Sequence, residues 1–128
     1  MPKYQPYAIA DTSDEMVRGY LDAAEWSGLD EDSQFELETT EGPVAWSEAA
    51  VREATEICER FRNAFHDPNF DEAQAGHDLW LTRNGHGAGF DDGDWWDEAF
   101  VSYATKFSKA LGERNVWFEA GPNLLHFE

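Results

Sequence analysis

The chain has 128 residues and carries 27 acidic against 9 basic side chains, which gives a formal net charge of -18 at pH 7. Such a negative surface excludes direct binding to nucleic acid or anionic membranes and favours basic partners, metal ions or adaptation to high salt. Hydrophobic residues make up 41% and aromatic residues 15% of the chain, a composition that excludes a disordered acidic tail and predicts one folded domain, residues 1–128.

The N-terminal third predicts one helix followed by an acidic connection. In the stretch DTSDEMVRGYLDAAEWSG, Thr12 and Glu15 form a capping box, apolar residues recur at helical spacing, and Gly28 is a natural stop. Residues 29–46 lack a sustained period. We therefore predict a long connection there, with a short extended piece around residues 35–38.

A second helix is predicted to begin after Ser47, which is a favourable capping residue. Its apolar stripe runs from Val51 to Phe65, and it must end before Pro68. Cys58, the single cysteine of the chain, lies within this stripe. We expect it to be a small buried hydrophobic residue and to form no internal disulfide.

A third helix and two hairpins complete the prediction. Asp94, with Asp97 three residues later, is expected to cap a helix that Gly112 ends. Residues 115–128 predict a terminal hairpin, and the Asn84-Gly85 dipeptide predicts a central one over residues 76–90. The expected fold class is α+β, with three helices packed on a small antiparallel sheet made of a central and a C-terminal β-hairpin.

The central stretch GHDLWLTRNGHGAGF holds two histidines and invites a metal-site interpretation. In a hairpin that turns at Asn84 and Gly85, Arg83 lies opposite His86 and His77 lies opposite Asp92. The two histidines are then separated by six strand steps, roughly 20 Å. They cannot share one ion, so we predict neither a metal nor a cofactor.

The same register gives the glycines a structural role, because it places Trp80 across the strand from Gly89. What remains is a possible ligand or catalytic site at the hairpin tip, where side chains and glycine amides could bind a phosphate or carboxylate. Its candidate residues are His77, Asp78, Arg83, Asn84 and His86.

The negative charge is concentrated in two stretches. Nine acidic residues and no basic residue lie between Arg18 and Arg52, and five acidic residues lie between Arg83 and Lys106. Spaced carboxylates can substitute for phosphates in a basic cleft, since binding to such clefts is dominated by charge. The predicted partner-binding residues are Asp30, Glu31, Asp32, Glu36 and Glu38, followed by Asp91, Asp92 and Asp94.

The block AGHDLWLTRNGHGAGFDD resembles one found in a family of small uncharacterised bacteriophage proteins, whose usual form ends GHGAGFWD. The similarity extends to YLDAAEWS in the first helix, to the region of Cys58, and to a third helix followed by a terminal hairpin. Asp91 stands where the family has an aromatic residue, and the terminal hairpin is less rich in glycine. The resemblance implies phage origin and no assigned activity.

These observations together predict a non-enzymatic phage accessory protein. It would act in the host cytoplasm by binding a basic protein, expected to be a nucleic-acid-binding or defence factor of the host, as an acidic mimic of nucleic acid. Two alternatives stay open: a ligand-binding or catalytic site at the hairpin tip, and an acidic surface that reflects only adaptation to high salt. No apolar run is long enough for a signal peptide or a membrane span, which predicts an intracellular protein.

Overall fold

The computed structural model describes residues 8–65, 71–85, 89–90 and 97–128 and shows an α+β fold. Its elements in chain order are β1 (Ala8–Ile9), α1 (Glu15–Gly28), α2 (Glu31–Thr39), β2 (Val44–Trp46), α3 (Glu48–Ala64), α4 (Glu72–Arg83), α5 (Glu98–Ala110), β3 (Val116–Glu119) and β4 (Leu124–Phe127). None of the helices in this part of the chain combines the length and apolar character that a membrane crossing requires.

The four strands form one mixed sheet in the order β1-β2-β4-β3. The terminal hairpin is confirmed, because β3 and β4 pair antiparallel. The prediction of a purely antiparallel sheet is wrong, since β2 pairs in parallel with both β1 and β4. The amide of Ser47 donates to the carbonyl of Leu125 at 2.9 Å, which continues the ladder into the start of α3.

Helices α1 and α3 confirm two of the predicted helices. The cap of α1 is Asp14 and not Thr12: Asp14 Oδ1 accepts from the amides of Met16 and Val17, and Thr12 Oγ1 accepts from the amide of Asp14. Ser47 caps α3 as predicted, with Oγ accepting from the amide of Ala50 at 3.1 Å. Both caps satisfy amides that the first helical turn leaves without partners.

Helix α5 confirms the third predicted helix, although it begins later than the sequence indicates. Asp97 is its N-cap residue, and the helix ends at Ala110, two residues before the predicted stop Gly112. The predicted cap, Asp94, lies outside the described residues.

Helix α2 occupies the segment for which we predicted a connection, so that prediction is wrong. Asp30 caps it by accepting from the amide of Ser33 at 2.7 Å, and Glu31 and Asp32 lie in its first turn, where the helix dipole favours acids. Leu37 is the one residue of this helix that is buried. The sequence therefore lacks the apolar stripe by which an amphipathic helix is recognised.

The prediction of a central hairpin is also wrong, because Glu72–Arg83 forms helix α4. Asp71 caps it by accepting from the amide of Gln74 at 3.0 Å, and Gly85, with a φ of +75°, follows its last turn. Asn84-Gly85 is thus a helix stop and not a hairpin turn. The predicted pairing of Trp80 with Gly89 does not occur, since Gly89 lies against Thr82.

The core forms where α1 and α4 cross and where the sheet covers them. Trp80 is fully buried, with its ring 5.3 Å from Tyr20 and 5.5 Å from Phe127, and its Nε1 donates to Ser27 Oγ at 2.9 Å. A second aromatic cluster joins α3 to α5 through Phe61, whose ring centroid lies 5.4 Å from that of Phe107. Ring contacts therefore join α4 to α1 and β4, and α5 to α3.

Cys58 is free and fully buried, as predicted. Burial raises its pKa from the ordinary 9.0 to about 12, and burial likewise raises the pKa of Tyr20 from 10.0 to about 12. Between these ordinary values and 12 the unfolded chain releases protons that the folded chain retains, so the free energy of unfolding is expected to fall as pH rises through this window.

Urea titrations at neutral pH and above pH 9.0 would measure this loss. The variant Cys58→Ala should keep only the Tyr20 share of it, and the thiol should react with a thiol reagent only on unfolding. Rapid labelling of the native protein, or an equal alkaline loss in both chains, would contradict the assignment.

Candidate functional site

The structure places the first predicted cluster of acids together on helix α2. Asp30 is the N-cap, and the hydrogen bond from the Ser33 backbone, with a second from its side chain, lowers the pKa of this exposed carboxyl. Glu31, Asp32, Glu36 and Glu38 follow within the helix, and all four are exposed. The second predicted cluster, Asp91, Asp92 and Asp94, lies outside the described residues.

An exposed aromatic ring lies among these carboxylates. Phe35 has 67% of its surface exposed. Side chains three and four positions apart are neighbours on a helix, so Glu31, Asp32 and Glu38 surround Phe35 on the solvent side. We did not predict Phe35 as a site residue, although an aromatic residue inside an acidic run that lacks any helical stripe was a usable signal.

The acids of α2 are not neutralised by the rest of the described chain. In that part of the molecule, none of them forms an ion pair, and Glu38 only accepts a hydrogen bond from Gln34 at 3.2 Å. The half-buried arginines form ion pairs with acids outside α2: Arg62 pairs with Asp14 and Glu72, and Arg114 pairs with Glu53. The field of α2 is therefore directed at solvent.

The candidate ligand residues at the end of α4 are built into the scaffold. Arg83 is 7% exposed, and its guanidinium donates to the carbonyls of Gly112 and Leu111 and to Tyr20 Oη at 2.8, 3.1 and 2.9 Å. Asn84 donates to the Trp80 carbonyl at 3.0 Å and accepts from the amide of Arg114 at 2.8 Å. These side chains join α4 to the segment between α5 and β3.

The other candidates on α4 lie at a different level of the helix. Asp78 is buried and accepts from Gln74 Nε2 at 2.9 Å, while His77 is half-exposed and stacks on Trp26 with ring centroids 6.1 Å apart. Six helical positions separate His77 from Arg83, about 9 Å along the axis. The structure thus does not bring these side chains to one surface point, and His86 lies outside the described residues.

The described residues contain no group of three His, Cys, Asp or Glu side chains able to hold a metal ion. The separation that we predicted between His77 and His86 was based on a hairpin register that does not form.

Comparisons of the chain with known protein families, curated proteins and solved structures gave no match.

Proposed function

We propose that this is a non-enzymatic binding protein that captures a basic protein through helix α2. The observation that carries the proposal is the exposed Phe35 enclosed by carboxylates that no cation of the described chain neutralises. A basic surface with a shallow apolar pocket complements such a helix. The surface that recognises the partner is defined by Asp30, Glu31, Asp32, Phe35, Glu36 and Glu38.

Charge and burial would contribute differently to this contact. The acids from Asp30 to Glu38 extend over about 12 Å of the helix axis and lie around most of its solvent-facing side, so they present several closely spaced negative charges, as the phosphates of a nucleic acid do. Charge steers the partner and makes binding dependent on salt. Burying the Phe35 ring contributes about 2 kcal/mol and fixes the orientation.

The partner that fits this chemistry is a nucleic-acid-binding protein whose basic cleft α2 would occupy in place of nucleic acid. With the phage resemblance, the proposal places the protein in the host cytoplasm, where it would inhibit a defence or DNA-binding factor. Nucleic acid itself and anionic membranes are unsuitable partners, because the net charge of -18 repels both.

Charge reversal on α2 tests the proposal. The double variant Asp32→Lys/Glu36→Lys should reduce capture of basic proteins from host lysate at least tenfold. Its matched control is Asp11→Lys/Glu59→Lys, which makes the same change in net charge at exposed positions outside α2. Captured proteins should be released by duplex DNA and by added salt.

The variant Phe35→Ala separates recognition from bulk charge. It removes the roughly 2 kcal/mol of ring burial and leaves the charge unchanged, so we expect capture to weaken about thirtyfold with the same dependence on salt. Equal loss in the two double variants, no effect of Phe35→Ala, or capture that duplex DNA does not displace would each contradict the proposal.

Adaptation to high salt makes a different prediction for the same proteins. If the charge serves only that purpose, the melting temperature of the parent chain should rise strongly with KCl, because screening relieves self-repulsion. The α2 double variant and its control should then gain the same stability at low salt, and neither should differ from the parent chain in capture of basic proteins. Salt-independent melting combined with α2-dependent capture would exclude this alternative.

A further inference from the structure

A polar cleft lies between helix α3 and the segment that joins α5 to β3, and none of its lining residues belongs to α2. Its volume is about 460 Å³, within the range of small-molecule sites. The lining consists of three arginines, three glutamates and the apolar side chains of Ile57 and Leu111.

Arg83 contributes to this lining and is a buried cation that has no counter-ion among the described residues. Its three hydrogen bonds go to two carbonyls and to Tyr20 Oη, and no carboxylate of the described residues pairs with it. Tyr20 cannot supply the charge, since its raised pKa of about 12 keeps it neutral. Buried charges are usually paired, and two of the five guanidinium N–H groups remain available.

The neighbouring charges determine what could enter. Arg114 donates to both oxygens of Glu53 at 3.0 and 2.5 Å, so that pair is already neutralised. Arg60 is exposed and has no ion pair in the described residues. Glu56 and Glu113 are exposed on the same lining. They would repel a dianion such as phosphate but would accept an ammonium group.

We propose that this cleft binds a free α-amino acid with an apolar side chain. Arg83 and Arg60 would hold its carboxylate, Glu56 and Glu113 its ammonium group, and Ile57 and Leu111 would contact its side chain. The carboxylate would supply, through charge-assisted hydrogen bonds, the counter-ion that Arg83 lacks among the described residues. This site is separate from the surface on α2 and does not depend on the function proposed for it.

Titration with three related probes tests the site. L-leucine carries both charges, leucinamide lacks the carboxylate, and N-acetyl-leucine lacks the ammonium group. Leucine should bind saturably at millimolar concentration and shift the NMR signal of the Arg83 Nε–H, N-acetyl-leucine should bind more weakly, and leucinamide should not bind. A leucine titration without saturation, or one that leucinamide reproduces, would overturn the proposal.

A variant and its control test whether leucine binds in this cleft. Arg60→Gln removes an exposed cation of the lining and should weaken leucine binding about tenfold. Arg52→Gln removes an exposed cation of the same helix that lies outside the cleft, and should leave the affinity unchanged. Equal affinities for the two variants would place any leucine binding elsewhere and refute this assignment.

Discussion

Replacing Gly76 by alanine should destabilise the protein by about 3 kcal/mol or more, a large part of the roughly 5–15 kcal/mol that keeps an ordinary domain folded. A Cβ at this position would lie 1.9 Å from the Met16 carbonyl oxygen and 2.8 Å from the Tyr20 amide nitrogen. Both atoms belong to the hydrogen-bonded backbone of α1 and cannot rotate away. Urea denaturation followed by circular dichroism would measure the loss.

The close approach of the two helices is reciprocal. A Cβ at Gly19 would lie 2.1 Å from the carbonyl oxygen of Ala73, so each helix approaches the backbone of the other through a glycine. Alanine favours a helix over glycine by about 1 kcal/mol. The helix propensity alone would make Gly76→Ala stabilising. A loss of stability would therefore show that the backbones of α1 and α4 are too close to admit a Cβ.

Gly85→Ala is the matched control for this experiment. No heavy atom lies within 4 Å of the added Cβ, but the φ of +75° is unfavourable for alanine, and we expect a loss of about 1 kcal/mol. Similar losses at Gly76 and Gly85 would mean that the two helices do not approach as closely as the structure shows.

The parts of the fold that the sequence predicted share a simple signature. Helices α1 and α3 each combine a capping residue with an apolar stripe, and the terminal hairpin combines two apolar runs with a turn at Gly121–Asn123. Local signals of this kind need no information about distant contacts.

Helix α4 was missed because its C-terminal half is buried on every side. The last six residues of this helix, 78–83, are all buried, and they include an aspartate, a threonine and an arginine. A helix enclosed in this way shows no periodic apolar face. Its internal polar residues also resemble a binding site, and Asn84-Gly85 serves equally well as a helix stop or a hairpin turn.

Strand β2 was missed because its partners are distant in sequence. Val44–Trp46 is three residues long and follows an acidic helix, and its pairing with β4 spans about eighty residues of chain. Parallel pairing of this kind depends on tertiary contacts that a short apolar run does not reveal.

The candidate surface was partly accessible from the sequence. The absence of basic residues between Arg18 and Arg52 identified the acids of α2, but only the structure shows that they share one helix with an exposed Phe35. Arg83 differs most from its prediction. We predicted a ligand-binding residue at a hairpin tip, whereas the structure shows a buried side chain that donates to Tyr20 Oη and also lines a cleft.

Arg83→Met should lower the free energy of unfolding by about 3 kcal/mol, because it removes the donor to two carbonyls and to Tyr20 Oη while leaving those acceptors in place. Methionine has similar length and relieves the burial of an unpaired charge, but it cannot replace three hydrogen bonds. Thermal and urea unfolding would measure the change, with Arg52→Met, at an exposed site, as a control expected within about 0.5 kcal/mol. A surface ligand residue would give the opposite pattern, in which Arg83→Met keeps the parent stability and loses only binding, and that result would contradict the structural role of Arg83.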